Sequence, residues 1–395
     1  MTTGTFSFDT PKTPPTAKDD DLSFLRLIRS RRVGPATFHR LIAEHGTVAA
    51  ALDALPGIAR EAGLDDYTPC PEGVAEAELR AGRRAGARLI RCDHPDYPPA
   101  LRDIDGAPPV LWLRGDLRRL RDDPFAVIGA RNASSLGLRM ARGMAAGLGE
   151  AGHCVVAGRA RGIDTAAPNA ALATGTGAVM AGGVDQIYPA ENAILAAQIA
   201  EKGALVSEQP PGVEPAARHF PARNRIISGL ARAVVVIEAA HRSGSLITAK
   251  NALDQGREVM AVPGHPMDAR AAGCNALIRD GATLVRSAAD VIAACFGDDA
   301  GAHPRRPAPT RPDTPASRQP AAPAAIPASS AAPRDSGGPA GLEARIMNWL
   351  SPSPSDEDDL IRRLGVPAAV ANSAILSLEL QGLLTRSAGG RLARS

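Results

Sequence analysis

Short apolar runs recur through the middle of the chain at Phe125–Ile128, Cys154–Ala157, Ala178–Ala181, Ala204–Ser207, Val234–Glu238 and Val259–Val262. Each spans four or five residues, mostly of β-branched or small type, and most are bounded by glycine. The runs are continuous rather than alternating, as strands covered on both faces should be. Ala-rich stretches long enough for helices lie between them. Strand–helix alternation of this kind predicts a doubly wound parallel sheet. The expected fold class is α/β, with an extended Rossmann-like domain over residues 88–296.

The flanks follow other patterns. Residues 1–20 are polar and rich in Thr, Pro and Asp, a composition that predicts a disordered tail. Over residues 21–87 a helical period begins near Leu22; a turn at Gly34–Pro35 then leads into Phe38, Leu41 and Ile42 at helical spacing. A second turn is expected at Leu55–Pro56–Gly57, ahead of another short helix. Two helices joined at a glycine turn resemble a SAM or helix-hairpin-helix module, whose turn N–H groups contact phosphate. A small helical packing domain accounts for the same pattern. Residues 297–340 are dominated by Pro, Ala and Ser and read as a semi-extended linker. Order is expected again over 341–395, where an amphipathic helix, a second helix, a turn at Gly365–Val366–Pro367, a longer helix and a Gly-Gly turn between extended arms resemble a winged helix. Its wing would carry Arg386 and Arg391. Such domains bind either DNA or protein. The acidic run Asp356–Asp359 favours the start of a helix.

Composition narrows the classes. The 395 residues suit two or three domains, and 44% hydrophobic residues suffice for a sizeable core. A net charge of +3 is too mild to identify a nucleic-acid partner, so local patches must decide. Cys70, Cys92, Cys154, Cys274 and Cys295 form no C-x-x-C pair, which points to neither zinc nor a disulfide framework and fits a reducing compartment. With no signal-peptide pattern and no apolar run long enough for a membrane span, a cytoplasmic protein without a metal or cofactor is expected.

Candidate chemistry gathers after the strands. In AVIGARNASSLGLRMARGMA (126–145), Gly129 closes a strand, Arg131 stands in the loop, and Ser134–Ser135 can cap a following helix whose free N–H groups suit an anion. The loop is neither G-x-G-x-x-G nor Walker A; an ordinary turn with a solvated arginine is the plain alternative. In VVAGRARGIDTAAPNAAL (155–172), Gly158 and Gly162 allow close backbone approach, while Arg159 and Arg161 add charge at the same sheet edge. The segment from Arg218 through His219, Phe220, Arg223, Asn224 and Arg225 sets an aromatic among cations and an amide. A ring there can stack on an unpaired base while arginines track phosphates, or it can anchor the loop to the core. Ser243–Gly244–Ser245 opens a further helix, with Thr248 one turn on, and Glu238 ends the preceding strand where it could orient arginines or act as a base.

Taken in order, YPPALRDIDGAPPVLWLRGD (97–116), VIGARNAS (127–134), ARGIDTAA (160–167), the block from VSEQPPG to VMAVPG (206–264) and GCNALIRDGATLV (273–285) resemble the DprA/Smf family. The resemblance implies a protein that binds single-stranded DNA on its Rossmann-like domain, forms homodimers, and places RecA recombinase on DNA coated by single-strand-binding protein. In natural transformation, competence and DNA recombination such proteins protect incoming DNA, and no enzymatic activity is expected. The family's phosphate-binding arginine falls on Arg131, its F-P-x-R-N-R block on Phe220, Arg223, Asn224 and Arg225, its S-G-S-x-x-T-A block on Ser243, Gly244, Ser245 and Thr248, and its R-G-I-D motif on Gly162 and Asp164. One departure stands out: the histidine that closes R-G-I-D-x-x-A-H is Pro168 here, early in the expected helix. The alternative is a nucleotide-binding or nucleotide phosphoribohydrolase-like enzyme on a related fold. Its P-G-G-x-G-T-x-x-E motif is missing, the corresponding stretch beginning Glu238-Ala-Ala-His-Arg-Ser. Apolar Ile278 and Leu284, near the end of the sheet, are candidates for a dimer surface.

Overall fold

All six central apolar runs coincide with strands in the computed structural model, which describes residues 20–120, 123–158, 161–297, 339–350, 355–381, 383–387 and 391–394. All but the end residues of the expected tail and linker lie outside that set, as does Arg159. The chain divides into two units, one within residues 1–300 and the other within 301–395.

The first unit opens with four helices, α1 (Asp21–Arg29), α2 (Pro35–His45), α3 (Val48–Glu61) and α4 (Glu72–Arg84). The turn expected at Leu55–Pro56–Gly57 is not there: all three residues lie inside α3. Val48, Ala51, Leu52, Leu55 and Ala59 are buried at helical spacing along α3, and that continuous apolar stripe holds the helix together through Pro56.

After α4 come β1 (Arg88–Arg91), α5 (Pro99–Arg102), β2 (Val110–Gly115), β3 (Phe125–Ile128), α6 (Ser135–Glu150), β4 (Val155–Ala157), α7 (Ile163–Ala170), β5 (Thr176–Val179), α8 (Ala193–Lys202) and β6 (Ala204–Ser207). They are followed by α9 (His219–Leu230), β7 (Ala233–Val236), α10 (Ser245–Asp254), β8 (Glu258–Ala261), α11 (Ala272–Arg279), β9 (Thr283–Leu284) and α12 (Ala288–Phe296). The strands form one sheet in the order β1-β2-β6-β5-β4-β3-β7-β8-β9. From β6 to β9 every neighbouring pair is parallel, whereas β1–β2 and β2–β6 are antiparallel. Residues alternate between the faces: on β3, Phe125 and Val127 join one core and Ala126 and Ile128 the other. This two-sided burial is what the unbroken apolar runs record.

The helical module shares a core with the sheet. One cluster runs from Phe24, Phe38 and Leu55 to Trp112, Val206 and Val236. A polar link crosses the same boundary. Glu78, 9% exposed, receives a bidentate ion pair from Arg29 at 2.9 Å and the indole N–H of Trp112 at 2.9 Å.

The second unit contains α13 (Pro339–Trp349), β10 (Ser355–Asp356), α14 (Glu357–Leu364), α15 (Ala368–Leu380), β11 (Leu384–Ser387) and β12 (Arg391–Arg394). Leu342, Ile346, Leu360, Ile375, Leu378 and Leu392 make its core. Its strands form a three-stranded antiparallel sheet in the order β10-β12-β11. Three helices with a small antiparallel sheet, one strand before α14 and two after α15, give the winged-helix arrangement, with Arg386 on β11 and Arg391 on β12. No helix among the described residues is long and apolar enough to cross a membrane.

Candidate nucleic-acid interface

The sheet topology decides where a ligand sits. After β3 the chain winds one way through β4, β5 and β6, then returns to lay β7, β8 and β9 on the other side of β3. That reversal opens a crevice beyond the carboxyl ends of β3, β4 and β7. The loops that meet there are laced together. Ala130 donates its N–H to the Glu238 carbonyl at 2.7 Å, Ile163 to the Ala130 carbonyl at 3.3 Å, and the Ser245 hydroxyl to the Gly129 carbonyl at 2.8 Å. Gly162 has φ +62°, and a Cβ there would strike the backbone of Ala130 and Arg131. Only glycine meets both demands.

A cavity of about 670 Å³ lies at this point. Gly129, Arg131 and Asn132 line it from the first loop, Ser243, Gly244, Ser245 and Thr248 from the start of α10, and Phe220, Arg223 and Asn224 from α9. Asp164 lies among them. The expected segment around Phe220 is thus the first turns of a helix. At 3.6 residues per turn, Phe220, Arg223, Asn224 and Ile227 share the face toward the cavity, and Arg225 is carried round to the other side. There Arg225 grips both carboxylate oxygens of Glu208 at 2.7 Å. With the two side chains 20% and 12% exposed, this is an internal ion pair, not a free cation.

The floor is polar and buried. Arg223 donates to the carbonyls of Gly158 and Val179, tying α9 to the ends of β4 and β5. Its Nε is buried without a partner. Burial raises the Asp164 carboxyl above its ordinary value, against the opposing pull of Arg223, and burial lowers Arg223. Asn224 and Thr248 are 9% and 3% exposed and bring amide and hydroxyl groups to the same floor. At the rim the Phe220 ring is half-buried, with the Arg131 guanidinium 5.1 Å and that of Arg223 5.8 Å from its centroid. Arg131 itself is exposed. An aromatic face bracketed by cations above a hydrogen-bonding floor can hold a planar base beside an anionic backbone.

Several candidates stand outside the cavity. Ser134 is buried: its hydroxyl donates to the Glu238 carboxylate at 2.6 Å and accepts from the Gly137 N–H, and its own N–H reaches Glu238 at 3.0 Å. The positive end of α6, expected to receive an external anion, is therefore already met by an internal carboxylate. Glu238 orients the start of this helix rather than an arginine. Gly158 backs the Arg223 guanidinium. Arg161 forms an exposed ion pair with Glu191 at 3.4 Å, and Arg218 is exposed at the start of α9. Pro168 lies sixth in the eight-residue α7, not early in it, and is buried. It has no N–H to offer the Asp164 carbonyl one turn back. Beside Phe220, His219 accepts the Ala216 N–H at 3.1 Å, and burial and Arg218 lower its pKa.

The crevice also holds residues that motif reading passed over. Arg242, exposed on the rim, and Asn132 line it, as do Ile247 and Arg270, the latter paired with Asp268. Arg242 was the findable one, since it directly precedes Ser243 in a loop already marked for anion binding. The five cysteines are free, and burial pushes the Cys92 thiol to about 12 and that of Cys274 to about 11.

A family described as DNA recombination-mediator protein A matches residues 88–296, a DprA-like N-terminal HHH domain residues 18–81, and a DprA winged helix domain residues 306–390. The chain is 45% identical over 199 residues to the DNA processing protein DprA of Streptococcus pneumoniae, covering 50% of this chain and 70% of the relative. It is 42% identical over 248 residues to the putative DNA processing protein DprA of Mycobacterium tuberculosis, covering 58% of this chain and 64% of that protein, just under two thirds of its length. The X-ray structure of the S. pneumoniae protein superposes with TM-score 0.54 at 33% identity, covering 69% of this chain and 93% of that one.

Proposed function

The chain belongs to the DNA recombination-mediator protein A family, and we propose that it binds single-stranded DNA in the crevice at the carboxyl ends of β3, β4 and β7. One observation carries the reading: a single 670 Å³ cavity gathers the exposed cations Arg131 and Arg242, the half-buried ring of Phe220, and a buried hydrogen-bonding floor of Asn224 and Thr248. Phosphates meet the rim and an unpaired base meets Phe220. Gly129, Gly158 and Gly162 shape the backbone, Asp164 and Arg223 hold the floor, and Ser243, Gly244 and Ser245 present hydroxyl and N–H groups from α10. Ser134 acts through Glu238 on the start of α6, and Arg225 supports α9 from behind. Arg161 and Arg218 lie outside the cavity, where they would meet only flanking phosphates.

At the level of the cell, the protein protects incoming single strands and loads RecA recombinase onto DNA coated by single-strand-binding protein during transformation or recombination. It acts as a cytoplasmic homodimer and without catalysis. The family membership supports this reading. The test is RecA filament growth on coated single strands: the full chain should shorten the lag, and Arg131→Ala should not. An unchanged lag with the wild-type chain contradicts the loading role.

An enzymatic reading has one observation in its favour, the buried Asp164 with its raised pKa inside the crevice. Asp164 is engaged by the Gly129 N–H and lies next to Arg223, and Glu238 is committed to Ser134. Release of free base from nucleoside monophosphates would decide for the enzyme; binding without release is expected.

A further inference from the structure

Helix α6 leaves the crevice at its cap, Ser134, and packs against α7 and α12. Its inner side is filled by Ala141, Met144, Ala145 and Leu148. Its outer side exposes Leu136, Arg139, Arg142 and Gly143. Arg139 and Arg142 stand about 4.5 Å apart along the axis, on the same outward face. Many surface arginines of this unit are neutralised close by: Arg161 by Glu191, Arg286 by Asp290, Arg279 by Asp280 and Arg118 by Asp116. Arg139 and Arg142 have no ion-pair partner among the described residues. They stand at the fifth and eighth positions of α6, the helix that follows Arg131 of the crevice rim.

The glycines of α6 add an independent observation. Gly137, Gly147 and Gly149 each face a neighbour that a Cβ would strike, namely the Glu238 carboxylate, Ala288 and Thr174. A Cβ on Gly143 would meet nothing within 4 Å. Glycine inside a helix is unfavourable relative to alanine, and packing within the protein does not account for it at this position. On the outer face beside the two arginines, it leaves bare backbone against which a sugar-phosphate chain can close.

We infer that a single strand held in the crevice runs on along the outer face of α6, where Arg139 and Arg142 neutralise further phosphates and Gly143 gives the strand room. The inference rests on the crevice being where the strand is held. Charge complementarity and continuity with the rim select this route. Of the other helices that begin at the crevice, α7 exposes only Asn169 and α9 only Pro221, and α10 exposes apolar Ile247 and Leu253 beside the single cation Lys250.

The full chain should be titrated over a range of salt with a thymidine dinucleotide, which fills only the crevice, and with a long oligothymidylate. The Arg139→Ala/Arg142→Ala double variant should bind the dinucleotide as wild type does. Its slope of log affinity against log salt on the long strand should be smaller by about 1.4, at ~0.7 for each phosphate no longer neutralised. Gly143→Gln, with an unchanged circular dichroism spectrum, should weaken only the long strand. A wild-type slope in the double variant overturns the inference. So does a reduced slope in Lys250→Ala with none in the double variant, which would assign the route to α10. Failure of the crevice reading shows separately, as a dinucleotide that binds wild type and Arg131→Ala alike.

Discussion

At the scale of single residues, the crevice divides its polar groups into those that face a ligand and those already engaged. Arg131 and Arg242 are exposed on the rim, whereas Arg223 and Arg225 are spent on carbonyls and on Glu208. Arg131→Ala should therefore weaken single-strand binding uniformly across sequences and reduce the salt slope by about 0.7. Phe220→Ala should cost ~1–3 kcal/mol of binding with the slope kept, because stacking releases no counterions. Arg225→Ala should instead lower stability by about 3 kcal/mol, since it leaves the Glu208 carboxylate in the interior without its partner; a thermal melt checks this. His219 gives a pH signature. Its pKa is depressed below 6.5 in the folded chain, so the folded state favours the neutral ring. Its contribution to stability is present above 6.5 and is lost as pH falls through the folded value. Melting temperatures measured downward from neutral pH should fall more steeply for wild type than for His219→Gln.

At the scale of elements, the strands were legible because two-sided burial leaves an unbroken apolar run. β3 and β6 match their apolar runs to the residue, and β4, β5, β7 and β8 match theirs within two residues. The antiparallel β1 and β2 escaped because nothing local distinguishes an added edge from a loop between helices. Leu55–Pro56–Gly57 suggests a turn because proline punctuates a chain on average, whereas α3 has an apolar stripe strong enough to run through it. The motif around Phe220 was visible as composition, but only its helical conformation reveals that Arg225 faces away from Arg223. The serine pair Ser134–Ser135 marks the cap in the sequence, and the structure puts it on Ser134; that Glu238 occupies the same helix end depends on a contact 104 residues apart in sequence. Pro168 can also be tested at this scale. In the interior of α7 it withholds a backbone donor, so Pro168→Ala should raise the melting temperature, with a gain of about 2 kcal/mol once the entropy lost from the unfolded chain is offset. No gain would mean that α7 is shaped by its packing against α6 and β4 and not by its own hydrogen bonds.

At the scale of the whole molecule, sheet order turns scattered motifs into one site. The segments after β3, β4 and β7 are distant in sequence and meet because the winding reverses at β3. The helical module is fixed to this frame through the shared core and the Arg29–Glu78–Trp112 link, so the described residues of the first unit carry the crevice on one packed frame. The winged-helix unit carries its own core and its own small sheet. The proposed function makes the crevice, and not the winged helix, the main site for single strands. It is tested most directly by fluorescence-anisotropy titration of single- and double-stranded oligonucleotides against the wild-type chain and Arg131→Ala. Wild type should show a strong single-strand preference that Arg131→Ala loses. Equal affinity for both forms of DNA, or a preference untouched by the substitution, would contradict it.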